Sequence, residues 1–162
     1  MRAIFRPAVF ALLFLLAACT TTSLPTAINA RLDAPGAVLD KAAAIDLINQ
    51  YRATLGAPAV ALDPALNSAA ASAAAVYATS PDVAAGRTRL GAIGDRVDGE
   101  AQAAEQVSAG YVTFADVFSG WRNNPNDAQA LTVPWASRAG IGVIHDSNSP
   151  FGTYWVLILA GS

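Results

Sequence analysis

Cysteine is all but missing from this sequence: the single residue, Cys19, closes the first apolar run. A disulfide framework is thereby excluded, and so is any C-x-x-C redox or zinc motif. There is one histidine, His145, so no H-E-x-x-H pair exists to hold a catalytic zinc. A serine triad would have to use that ring. Ser147 and Ser149 lie too near it in sequence for the usual triad geometry, and His145 reads as a strand-end surface residue rather than a general base. Neither G-x-S-x-G nor a Walker loop occurs, and Lys41 is the only lysine. Gly91 and Gly94 lack the preceding strand and following helix of a phosphate cradle, so they read as turn residues.

What is present begins with the leader. Arg2 and Arg6 precede an apolar run from Ala8 to Ala18 that stops at Cys19. The run is shorter than the roughly 20 apolar residues of a spanning helix, so it reads as a secretion signal. Leu16-Ala17-Ala18-Cys19 resembles a bacterial lipobox. The resemblance implies cleavage before Cys19, a diacylglyceryl group on its sulfur and a fatty acyl group on the freed amine. Acyl chains contribute about 0.8 kcal/mol per buried methylene, and two or more make anchoring stable. Residues 1–18 are therefore expected to be a lipoprotein signal peptide, and 19–37 the lipidated cysteine and a flexible tether rich in Thr, Ser, Pro and Ala. Thr20 follows the cysteine in place of an aspartate retention signal, which by analogy points to the outer membrane, facing the periplasm. The mature protein is thus expected in the bacterial cell envelope, with the membrane as a partner through the anchor.

Removing Arg2 and Arg6 from the 10 basic residues leaves 8 against 12 acidic ones, a net charge of −4. This excludes nucleic acid as a partner. Residues 38–162 are long enough for one domain with a proper core.

The apolar pattern places the elements. Asp40 caps a first helix with Ala44, Leu47, Ile48, Tyr51 and Leu55 on one stripe, stopped by Gly56. Asp63-Pro64 opens a second, whose stripe of Leu66, Ala69, Ala70, Ala73 and Tyr77 is mostly alanine and so permits close approach to a neighbour. Thr79 to Ala103 reads as loop. Thr113 and Asp116 have capping-box spacing before Val117, Phe118 and Trp121, which predicts a third helix over about 114–122, ended by Asn123-Asn124-Pro125-Asn126. Residues 139–146 and 153–160 are rich in β-branched and aromatic residues and predict an antiparallel hairpin. Trp121, Trp135 and Trp155 read as core anchors. Helices early and strands late give an α+β fold, a small antiparallel sheet covered by helices.

The order of parts resembles the CAP superfamily, also called the SCP domain: cysteine-rich secretory, antigen 5 and pathogenesis-related proteins. The residues that carry the likeness are Asn49, Arg52 and Gly56, then Leu62-Asp63 and Leu66, Glu105, Trp121 before a Pro-containing turn, Ile141-Gly142-Val143, and Tyr154-Trp155. The resemblance implies an α-β-α sandwich with a cleft lined by two histidines and two glutamates, which binds a divalent metal in some members. Glu105 matches the glutamate of the G-E-N motif, with Ala104 and Gln106 as its flanks. The two histidine positions fall on Ala78 and Asp127, and no residue is assigned to the second glutamate. Candidate cleft residues are therefore Glu105 and Asp127, with no catalytic residue, cofactor or metal ligand set expected. The expected function is non-enzymatic: binding a small apolar ligand or an envelope protein partner. The alternative is a metal-independent hydrolase that uses Glu105 and Asp127 as an acid and base pair.

Overall fold

A computed structural model of the chain describes residues 26–80, 88–90 and 102–161. The leader, Cys19 and the start of the tether lie outside the described residues, as does most of the loop expected between Thr79 and Ala103. Among these described residues four α-helices and five strands follow in order: α1 (Lys41–Thr54), β1 (Ala61–Leu62), α2 (Pro64–Thr79), β2 (Thr88–Leu90), β3 (Ala103–Ala109), α3 (Phe114–Asn123), α4 (Pro125–Leu131), β4 (Arg138–His145) and β5 (Thr153–Ala160). One sheet holds all five strands in the order β1-β4-β5-β3-β2.

The helix starts follow from capping chemistry. Asp40 accepts from the Ala43 amide at 3.0 Å, and Asp63 Oδ1 accepts from the Ala65 and Leu66 amides at 2.7 and 3.0 Å. Both satisfy donors that the first helical turn leaves unpaired. Thr113 Oγ1 accepts from the Asp116 amide at 3.1 Å while donating to that residue's carboxylate at 2.7 Å. On α3, Phe114, Val117, Phe118 and Trp121 are buried. The spacing of three, four and seven puts them on one face, where each fully buried side chain contributes about 1.5–3 kcal/mol.

The sheet divides the interior into two apolar clusters. On one side α1, α3 and α4 pack on Ala104, Ala139, Ile141, Trp155, Leu157 and Leu159. On the other, α2 covers Ala103, Val107, Tyr154, Val156, Ile158 and Ala160. Alternate strand residues point to opposite faces, so each strand feeds both clusters. The result is an α-β-α sandwich, as expected. The alanine stripe has its counterpart on β4: an ideal Cβ on Gly140 would lie 2.1 Å from the Leu66 carbonyl carbon, and one on Gly142 would lie 2.3 Å from the Ala71 nitrogen. The backbone of α2 thus rests directly on the backbone of β4, a contact that only glycine permits.

Four features depart from the sequence reading. The sheet is not wholly antiparallel, because β1 pairs parallel with β4. β3 follows the expected loop in a stretch to which the sequence pattern assigns no element; its run AAEQVSA has little β-branching, and pairing with β5 along its whole length makes it a strand. Asn124-Pro125 ends α3 but also starts α4, since Asn124 Oδ1 accepts from the Asn126 and Asp127 amides at 3.0 and 3.3 Å. The tether expected through residue 37 is not wholly detached. Thr26–Asn29 forms a 3-10 turn, Ile28 and Leu32 are buried in the α1 cluster, and the Leu32 amide donates to the Val112 carbonyl at 2.8 Å. Burying these two side chains outweighs the entropy of leaving the segment free.

Candidate functional site

Glu105 lies in the middle of β3, paired with Ile158 on β5 and opposite Arg89 in the β2 register. It is fully buried. It shares its face with Ala103 and Val107, so its carboxylate is turned into the α2 layer. There the Tyr77 hydroxyl donates to Oε1 at 3.2 Å.

Asp127 is on the other side of the sheet. Gln106, the residue after Glu105, projects to the opposite face, and its amide donates to the Asp127 carbonyl at 2.8 Å. The α4 helix that carries Asp127 packs beside α3, where the Trp121 indole N–H donates to Ser108 Oγ at 2.9 Å. The two candidate cleft residues are thus approached from strand positions of opposite parity, Glu105 from the α2 face and Asp127 through Gln106.

Asp127, mostly buried, reaches a groove of about 250 Å³ at the end of the sheet, lined by Ser108, Ala109, Tyr111, Gly120, Asn124, Asp127 and Phe151. Tyr111 also borders a second hollow of about 430 Å³ with Asp116, Ser119 and Asn123. Its ring covers Gly120, whose added Cβ would meet the hydroxyl at 2.7 Å. The rings of Tyr111 and Phe151 are exposed. Aromatic faces beside amides, a hydroxyl and a carboxylate suit a ligand with both apolar and hydrogen-bonding groups. Sequence reasoning missed Tyr111 and Phe151, since they come together only when β3 and β5 pair.

The position of the family's first histidine, Ala78, is buried at the end of α2 and offers only its carbonyl, which accepts from Ser149 Oγ at 2.8 Å. Ser149 Oγ is also in close contact with the Tyr154 hydroxyl. His145 is exposed at the end of β4, with Nδ1 3.0 Å from Thr153 Oγ1. Among the described residues no three of His, Cys, Asp and Glu gather as a metal site. With no side-chain donor at Ala78, the described residues do not gather the donor set for the metal held by some CAP proteins.

The remaining signature residues hold the frame. Asn49 Nδ2 donates to the Val60 carbonyl at 2.9 Å and its Oδ1 accepts from the Val60 amide at 2.8 Å. Arg52 is fully buried, and its guanidinium donates to the carbonyls of Pro58, Leu131, Val133 and Ala136 at 2.7, 2.6, 3.1 and 3.4 Å. Burial lowers its pKa from the ordinary guanidinium value, which its hydrogen bonds and the carbonyl end of α4 oppose. Asp63 is held below the usual carboxylate range by the Leu66 amide and, next, by Arg138, whose Nη1 lies 3.1 Å away.

Comparison with known proteins places this frame. The CAP model, described as the cysteine-rich secretory protein family, matches residues 45–159. No curated protein matches the chain. Among solved structures, a cysteine-rich secretory protein from Staphylococcus aureus is similar at 17% identity and a TM-score of 0.56, covering 75% of this chain and 38% of that one. An extracellular SCP-domain protein from Bacillus anthracis gives 20% identity and 0.61, covering 74% and 39%. An outer surface protein from Borrelia burgdorferi gives 15% and 0.59, covering 75% and 92%. The chain thus spans about two-fifths of the length of the first two. At these identities the likeness establishes the fold. By its family match and its three-layer fold, the chain belongs to the CAP family of cysteine-rich secretory proteins.

Proposed function

We propose that this chain is a lipid-anchored CAP domain of the bacterial envelope that binds a partner rather than transforming a substrate. The groove between the end of β3 and the α3–α4 turn is its contact site. The observation that carries the reading is the placement of the two acids. Glu105 is engaged by Tyr77 beneath α2, whereas Asp127 lies beside a groove with exposed aromatic rings. An acid and base acting on one bond must both reach it, and Glu105 is not among the residues lining the groove that Asp127 reaches. The mixed lining fits an envelope protein segment better than a purely apolar cargo. Anchoring rests on the lipobox around Cys19. The extracellular and outer-surface descriptions of two neighbours support an envelope location.

Two readouts on the full chain expressed in a bacterial host test this. Mass spectrometry of the mature amino terminus is expected to show acylated Cys19, and an unmodified terminus would remove the anchor. A photoreactive phenylalanine at position 151 is expected to form discrete adducts with envelope proteins that vanish with Tyr111→Ala. The same probe at Val76, exposed on α2, is expected to give none. Equal labelling from both sites would remove the groove.

A further inference from the structure

One edge of the sheet is only partly occupied. β1 meets β4 through Ala61 and Leu62 alone, and Pro64 then turns the chain into α2. Along β4 the outward main-chain groups belong to alternate residues. The Ala139 carbonyl accepts from the Asp63 amide at 2.8 Å, and the Ile141 amide donates to Asn67 Oδ1 at 2.9 Å. Next in that series come the Ile141 carbonyl, both groups of Val143 and the His145 amide. None of these has a hydrogen-bond partner among the described residues.

A groove of about 550 Å³ runs beside these groups, with Val143, Ile144 and His145 on one wall and residues 32–37 on the other. We infer that this groove receives an extended basic peptide segment of a partner protein, added to the sheet as a strand in line with β1. An unfilled row of alternating donors and acceptors is what such a segment recognises through its own main chain. The side-chain preferences follow from the walls. Val143 packs against the α1-side cluster and Leu32 belongs to it, so the peptide residue beside Val143 is apolar. Asp33 lines the groove, and Asp146 follows the end of β4 between the lining residues His145 and Ser147. Arg31 is bound to Asp33 at 2.5 Å and partly neutralises it. Asp146 uses one oxygen for the Asn148 amide at 2.9 Å. Basic flanks on the peptide are favoured.

The site differs from the Tyr111 groove and does not depend on it. The test uses two synthetic peptides, acetyl-KTVTVTK-amide and acetyl-ETVTVTE-amide, titrated into the mature chain with amide exchange read residue by residue. The lysine peptide is expected to bind at least about tenfold tighter than the glutamate one and to slow exchange at Val143 and His145. Val143→Pro removes an outward N–H and no bond to β5, at a position where a strand tolerates proline, and is expected to weaken binding about tenfold. Val143→Ile keeps both the N–H and the apolar, β-branched wall and is expected to bind within about twofold. No binding of the lysine peptide by about 1 mM, protection at other amides, or unchanged affinity in Val143→Pro would each overturn the inference. Protection of Val143 and His145 that rises with protein concentration and needs no peptide would also overturn it, assigning the edge to a second copy. The exchange measurement on the unsubstituted chain decides the matter if Val143→Pro does not fold.

Discussion

Adding one methyl group to Gly142 perturbs one of the two places where the backbones of α2 and β4 touch. A Cβ there would lie 2.3 Å from the Ala71 nitrogen and 2.4 Å from the Ala70 carbonyl carbon, about 1 Å inside contact distance. Both atoms are helix backbone, so no rotamer change relieves the clash and α2 must lift from the sheet. Overpacking of this kind costs about 1–3 kcal/mol, and a clash with backbone belongs at the upper end. For a domain of this size about 3 kcal/mol corresponds to a fall in Tm of roughly 9–15 °C. Strand propensity alone predicts the opposite sign, since alanine replaces glycine. Thermal unfolding followed by circular dichroism reads the difference. Gly161→Ala serves as control, because its Cβ would meet nothing closer than 3.6 Å, and its Tm is expected within about 1 °C of the parent. A Gly142→Ala melt within about 2 °C of the parent would refute the claim that α2 lies on the β4 backbone.

Arg52→Lys is expected to cost about 3 kcal/mol in urea unfolding: one ammonium cannot span the four carbonyls that the guanidinium reaches. A loss below about 1 kcal/mol would contradict the clamp. Asp63 has a lowered folded pKa, so its contribution is present above its unfolded pKa of about 3.9 and fades as pH falls through the lower folded value. Asp63→Asn keeps a capping oxygen but not the charge. It is expected to flatten the acid limb of stability against pH below about pH 4, and an unchanged limb would show that the charge contributes nothing.

The helices were legible because their signals are local. Asp40, Asp63 and Thr113 announce their caps, and the four buried residues of α3 repeat with the helical period. The late hairpin shows through its β-branched runs. The rest depends on contacts distant in sequence. β3 carries alanine, glutamine and serine where a strand usually shows branched side chains, and only β5 beside it makes it one. The faces of Glu105 and Asp127 were illegible for the same reason: without β3 there is no alternation to assign them. Asn124-Pro125 has one appearance as a helix breaker and as a cap with proline at the first helical position. Ile28 and Leu32 sit in a segment of tether-like composition, and only the cavity they fill between α1 and α3 distinguishes them.

The central claim is that Glu105 and Asp127 do not act together, and a double-mutant cycle tests it most directly. Glu105→Gln, Asp127→Asn and the double variant are each unfolded in urea. The account predicts additive losses, with a coupling below about 0.5 kcal/mol, whereas a coupling above about 1 kcal/mol would place the two carboxylates in one site and contradict it.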